Sequence, residues 1–167
     1  MKNVTSNKTE TISKRTLARE YAFKFIYKLL LNDFQNEKAE IISNSKTFED
    51  ALNIFDQSFH EEDNEHPDNK LDINSKIFAR ELILGSLNQE EENSKIIVPF
   101  LTNNNLSKVD RMNLAVLLLG SYEILNDKKT AVNIFINEYV NIAKKYCPND
   151  SQGFINSVLD KVSKGSR

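Results

Sequence analysis

Phe135-Ile-Asn-Glu-Tyr-Val-Asn-Ile-Ala-Lys-Lys-Tyr146, followed after a short break by Ser151-Gln-Gly-Phe-Ile-Asn-Ser-Val-Leu-Asp-Lys161, decides how this chain is read. Both blocks suit amphipathic helices, with apolar residues recurring at three- and four-residue steps. Asn137, Glu138, Asn156 and Asp160 sit inside them at positions where packing alone would accept many residue types. Thr130 is placed to cap the first helix, Pro148 ends it, and Asn149 or Asp150 can cap the second.

Working back from there, Val109, Met112, Val116 and Leu119 form one stripe, and Leu114, Leu117 and Leu118 make the segment apolar nearly all round. Such a helix belongs at the centre of a bundle. Gly120 within it costs about 1 kcal/mol of helix propensity relative to Ala, so a close helix crossing is expected there. Ser107 or Asn105 can cap it. Further upstream, helices are expected through Ile96, Ile97, Phe100 and Leu101, and through Ile73, Ile77, Leu82, Ile83 and Leu87. Residues 37–59 carry a less regular pattern, Ile41, Phe48, Leu52, Phe55 and Phe59, which reads as two shorter helices broken near Asn44-Ser45.

The first helix is predicted to start at a Ser13 N-cap. Leu17, Tyr21, Phe25 and Leu29 recur every four residues, Ala18, Ala22 and Ile26 widen the stripe, and Arg15, Arg19 and Lys24 fall on other sides. Residues 1–12 are polar and read as a flexible arm; residues 13–165 read as one domain, since 167 residues suit a single core. With 40% hydrophobic and 28% charged residues, four Gly and three Pro, the composition points to an all-α protein.

The formal net charge of −2 hides an asymmetry. Residues 1–30 hold seven Lys/Arg against two Asp/Glu, residues 31–110 seven against seventeen, and residues 111–167 eight against five. Two basic ends flank an acidic middle, which either forms a positive face for a polyanion or reflects unevenly charged solvated helices.

Catalytic motifs are scarce. His60 and His66 flank four acidic residues in a segment that reads as a solvated loop before Pro67, without metallohydrolase spacing. Glycines at 85, 120, 153 and 165 cannot build a phosphate-cradling loop, and Cys147 reads as an inert structural thiol. The reading is of a binding protein, with no enzyme activity, metal or cofactor expected. No apolar core for a signal peptide and no membrane-length apolar run are evident, so a cytoplasmic location is expected. The binding signal is Lys14, Arg15 and Arg19 with Tyr21 and Tyr27 nearby, cations for phosphates and an aromatic for an unpaired base. Tyr21 shares the apolar stripe and belongs to the core; Tyr27 lies about 120° from it and is the better candidate for exposure.

Three blocks taken together resemble the NusB family of bacterial transcription antitermination factors: Ala18-Arg-Glu-Tyr-Ala-Phe-Lys-Phe-Ile-Tyr27, Asp110-Arg-Met-Asn-Leu-Ala-Val-Leu-Leu-Leu-Gly-Ser-Tyr-Glu-Ile-Leu125, and the stretch from Ile136 to Lys161. Ala79-Arg-Glu-Leu-Ile-Leu-Gly85 is a weaker fourth. The resemblance covers residues 14–30 and 73–162 and leaves 31–72 nearly unmatched.

It implies two small helical bundles packed into one compact all-α domain. It also implies binding of single-stranded boxA RNA together with the ribosomal protein NusE, in an RNA polymerase antitermination complex that acts notably on ribosomal RNA operons. Self-association into a homodimer is a further expectation. By resemblance, Lys14, Arg15 and Arg19 hold RNA phosphates, Tyr27 meets bases, and Asp150 and Phe154 lie beside the RNA. Leu118, Tyr122 and Glu123 lie on the helix that faces NusE. Asn137, Glu138, Asn156 and Asp160 belong to the family signature, with Asn137, Glu138 and Asn156 expected to bond backbone groups between helices.

The chain departs from the family pattern at Thr16, Leu17 and Leu118, where arginines are frequent, at Ala131 in place of Pro, and at Ser157 in place of Gly. Fewer N-terminal cations predict weaker RNA affinity alone, a shallower salt dependence and greater reliance on NusE. A helical adaptor that keeps the fold without specific RNA binding is the alternative. An RNA cytosine methyltransferase, in which a module of this kind precedes a catalytic domain, is a poorer one.

Overall fold

The computed structural model describes the backbone of residues 4–62 and 71–166 and the side chains of residues 14–58 and 71–166. Among these residues all regular structure is helical, in the order α1 (Val4–Leu31), α2 (Phe34–Ser43), α3 (Ser45–Glu62), α4 (Ile73–Asn88), α5 (Glu90–Ile97), α6 (Arg111–Asn126), α7 (Val132–Tyr146) and α8 (Ser151–Ser166). Three single 3-10 turns, Val98–Phe100, Thr102–Asn104 and Leu106–Lys108, connect α5 to α6. The chain divides into two compact units, residues 1–83 and 84–167, with the division inside α4.

In the first unit α1 begins at Val4, so the expected cap Ser13 lies within the helix. Residues 4–12 contain neither Gly nor Pro, and nothing local stops the helix there. Asn44 breaks the next segment where the sequence indicated: it ends α2, and its side-chain oxygen accepts from the backbone N–H of Lys46 and Thr47 at the start of α3. The core is aromatic. Phe55 meets Tyr21 edge to face at 4.9 Å and Phe25 at 5.3 Å, and Phe25 meets Phe48 at 6.1 Å. Edge-to-face pairs at these separations add to the burial of each ring. Tyr21 is 4% exposed, as expected of a core residue; its hydroxyl bonds Asp56, and burial followed by that carboxylate's charge raises its pKa.

Along α4 the observed inward face is Ser75, Ala79, Leu82, Ile83, Ser86 and Leu87. Ile73 and Ile77, expected in the stripe, are 74% and 50% exposed. Small side chains, Ser75 and Ala79, occupy the inward positions in the first two turns, which a count of apolar repeats misjudges. The acidic segment around His60 and His66 lies largely outside the described residues; α3 itself continues to Glu62.

The second unit is built on α6, where every residue from Leu114 to Ser121 is buried. It packs on both α7 and α8, which also pack on each other. The crossing expected at Gly120 is present: a Cβ there would stand 3.0 Å from Leu159 Cδ1 and 3.2 Å from Tyr139 Cδ2. The caps differ from the sequence expectation. Asp110 caps α6, accepting from the N–H groups of Met112 and Asn113, whereas Asn105 caps the preceding 3-10 turn by accepting from Ser107 N–H. At α7 the N-cap is Ala131, and Thr130 Oγ1 instead donates to Asp127, which also accepts from the backbone N–H of Lys129 and Thr130. At α6 the carboxylate, the stronger acceptor for clustered N–H groups, took the capping place of a neutral side chain, whereas α7 starts without a side-chain cap. Gln89 and Asn126 close the ends of α4 and α6 with reciprocal amide bonds of 3.1 and 2.9 Å.

Candidate nucleic-acid interface

The basic residues of α1 are brought together against the start of α4. Lys14 Nζ lies 3.1 Å from Asp72 Oδ2, both side chains being roughly half exposed. Asp72 also accepts from Ser75 N–H at 2.8 Å, and that backbone bond first, with Lys14 adding to it, holds its carboxyl down to about 2. Arg15 and Arg19 share one aromatic partner: their guanidinium carbons lie 5.0 and 5.3 Å from the centre of the Phe78 ring. A guanidinium over an aromatic face gains electrostatic attraction while its N–H edge remains able to donate.

The three cations differ in access. Lys14 and Arg15 are exposed; Arg19 is 4% exposed, against the expectation that it lies off the packed side of α1. Burial extends round α1 from Ala18 to Ile26 through Arg19 and Phe23, wider than the stripe of apolar repeats. Tyr27 is half-buried, with its ring parallel to that of Phe23 at 6.3 Å. About two turns from Arg19 the same helix therefore offers an aromatic ring that is partly open to solvent.

In the second unit Asp150 is exposed, and Phe154, half-buried on the first turn of α8, lines a cavity of about 260 Å³ with Asn103, Asn105, Lys108, Asp110 and Asn113. The loop forming one wall is turned by Asn103 and Asn104 at φ of 65° and 47°, the left-handed region that Asn tolerates better than most residues. Amides, a cation and a carboxylate here can donate and accept hydrogen bonds, beside apolar Leu101, Val109 and Phe154.

On α6, Leu118 is 3% and Glu123 7% exposed, so neither presents a broad surface. The Tyr139 hydroxyl donates to Glu123 Oε2 at 2.6 Å, which ties that carboxylate to α7. Tyr122 is more open, and its ring lies over Gly85: a Cβ at Gly85 would fall on the ring itself. The two signature asparagines also depart from expectation. Asn137 and Asn156 are exposed on α7 and α8 rather than bonded between helices, while Glu138 is half-buried and Asp160 accepts from Lys164 one turn on at 2.7 Å.

Phe78 and Asp72, and the contact of Tyr122 with Gly85, escaped the sequence reading. Phe78 and Asp72 are ordinary residues within an apolar-periodic helix and its leading turn, and only the fold sets them against α1. Gly85 was visible as a glycine within a helix, a feature that marks close approach. Among the described residues no group of three or more His, Cys, Asp or Glu is gathered as a metal site, and no helix is long and apolar enough to cross a membrane.

Comparison with known proteins extends over nearly the whole chain. The NusB family model matches residues 16–164, a range that spans the segment 31–72 whose resemblance is weak by eye. The transcription antitermination protein NusB of Clostridium tetani is 34% identical over 158 residues, covering 90% of this chain and 98% of that one. The protein of the same name from Thermodesulfovibrio yellowstonii is 32% identical over 151 residues, covering 90% and 92%. Among solved structures, T. maritima NusB superposes with a TM-score of 0.66 at 24% identity over 90% of each chain. A chain from a crystal structure of NusB and NusE in complex with dsRNA gives 0.68 at 20% identity over 92% of this chain and 98% of that one. At those identities the structural likeness speaks for the fold, and it agrees with the helical order described above. Sequence and fold together make this chain a member of the NusB family.

Proposed function

We propose that the protein is a transcription antitermination factor that binds single-stranded boxA-type RNA together with NusE and joins the RNA polymerase antitermination complex, notably on ribosomal RNA operons. The observation that carries this reading is end-to-end similarity to proteins named transcription antitermination protein NusB, with 98% of the Clostridium tetani chain covered. The neighbouring fold solved with NusE and RNA lends support to both partners.

The geometry is compatible with that role. Lys14 and Arg15 offer exposed charge to phosphates, Arg19 stands behind Arg15 on the same ring, and Tyr27 offers a partly open face for a base. Asp150, just before α8, and Phe154 on its first turn would contribute beside the RNA, and Tyr122, with buried Leu118 and Glu123, would contribute to the surface meeting NusE. The alternative, a helical adaptor without specific RNA binding, draws on the burial of Arg19 and the pairing of Lys14 with Asp72.

Binding to a boxA RNA and a scrambled control, with and without NusE and across a salt series, separates the two. An antitermination factor prefers boxA, binds it more tightly with NusE, and loses affinity with salt. Charge reversal belongs at Arg15, since Arg15→Glu alters an exposed residue whereas a reversal at buried Arg19 would also disturb the core. Equal weak binding to both RNAs under all conditions would favour the adaptor.

A further inference from the structure

We infer that Phe78 is a positioning residue for RNA binding: its ring, which also packs on buried Arg19, presets the exposed guanidinium group of Arg15, so that α1 meets the RNA backbone with that cation already arranged. The inference rests on the RNA-binding reading above and assigns a residue on α4 to it.

Two arginines on successive turns of one helix repel each other and would ordinarily spread into solvent. Here both guanidinium carbons remain within 5.3 Å of one ring centroid, although Arg15 is exposed and Arg19 is buried. The electron-rich face of Phe78 offsets part of the repulsion between them. An arginine side chain is rich in rotamers, and ordering it on binding costs affinity; a ring that holds the group beforehand removes part of that cost. The planar fork of exposed Arg15 keeps N–H donors on its edge beside the ring, a set suited to phosphate oxygens. Phe78 itself is half-buried and carries no hydrogen-bonding group, so its contribution to an RNA site is indirect. The density of arginines that this chain lacks at Thr16 and Leu17 is thus partly made good by fixing those it has.

The test compares Phe78→Leu, Phe78→Trp and Arg15→Ala with the unaltered protein for binding to the same boxA RNA over a salt series. Leu keeps the apolar volume and removes the π face; Trp keeps a face of greater strength. The expected result is an affinity loss of about fivefold or more for Phe78→Leu, the consequence of losing two cation–π contacts, with a shallower salt dependence and affinity retained in Phe78→Trp. A role confined to packing would leave the salt slope unchanged. To keep the test independent of folding, fluorinated phenylalanines at position 78 preserve ring shape while draining its face; affinity is expected to fall stepwise with fluorination. Unchanged affinity and slope in Phe78→Leu and in the fluorinated series, with Arg15→Ala weakened, would overturn the positioning role and leave the RNA-binding reading intact. No boxA binding by the unaltered protein under any condition would overturn both.

Discussion

Tyr139 on α7 donates its hydroxyl to Oε2 of Glu123 on α6 at 2.6 Å, in a site where Tyr139 has no exposed surface and Glu123 has 7%. A carboxylate held this far inside depends on its donors, and replacing one leaves the desolvation cost in place. Tyr139→Phe is therefore expected to lower stability by about 1–3 kcal/mol, read as a fall of several degrees in melting temperature. An unchanged melting temperature would mean that Glu123 is satisfied without this bond.

Two glycines should respond differently to alanine. At Gly120 the new methyl group meets Leu159 and Tyr139, both fully buried and unable to yield, so overpacking of about 1–3 kcal/mol outweighs the gain in helix propensity of about 1 kcal/mol. At Gly85 the methyl group meets the Tyr122 ring, which is only half-buried and can swing away. Gly85→Ala should thus stay close to wild-type melting temperature while weakening NusE binding, because Tyr122 is displaced. Thermal unfolding and calorimetric titration with NusE check both; intact NusE binding in Gly85→Ala would remove Tyr122 from that surface.

Asp72 gives the protein an acid-sensitive contact. Its carboxyl is held at about 2, below the ordinary 3.8, first by the Ser75 N–H and then by Lys14. A depressed carboxyl contributes stability that is complete above the unfolded value and is lost as pH falls, here between about 4 and 2. Asp72→Asn keeps an acceptor for Ser75 but removes the charge, so its melting temperature should fall less steeply across that window. The same variant takes an anion away from Lys14, and RNA affinity should rise. Parallel acid-melting curves with a difference in RNA binding of the opposite sign would count against this assignment.

Cys147 should be slow to alkylate. Burial, with a smaller contribution from the Asp110 charge, pushes its thiol up to about 11, so at pH 8 only about one molecule in a thousand carries the reactive thiolate. Iodoacetamide labelling of the native protein at pH 8 is expected to run at least tenfold below that of the urea-unfolded chain. Equal rates would show an open, ordinary thiol.

What the sequence by itself determined is the class and the family. Periodicity placed α6 at the centre of its bundle, Gly120 at a close crossing and Asn44 at the break between α2 and α3, because these depend on local stereochemistry and on the repeat of apolar residues. The quoted blocks carried the resemblance that the chain-long match extended.

Tertiary structure alone decided which face of each helix turned inward and which group satisfied which. Ile73 and Ile77 point outward while Ser75 and Ala79 are buried, an orientation that the apolar repeat does not state. Arg19 lies inside, 5.3 Å from the ring centre of Phe78, a residue fifty-nine positions later that only the fold brings to it. Asn137 and Asn156 stayed on the surface, where no interhelical backbone group reaches them. Burial and pairing are sums over neighbours distant in the chain, and a linear sequence lists the residues without stating which of them meet.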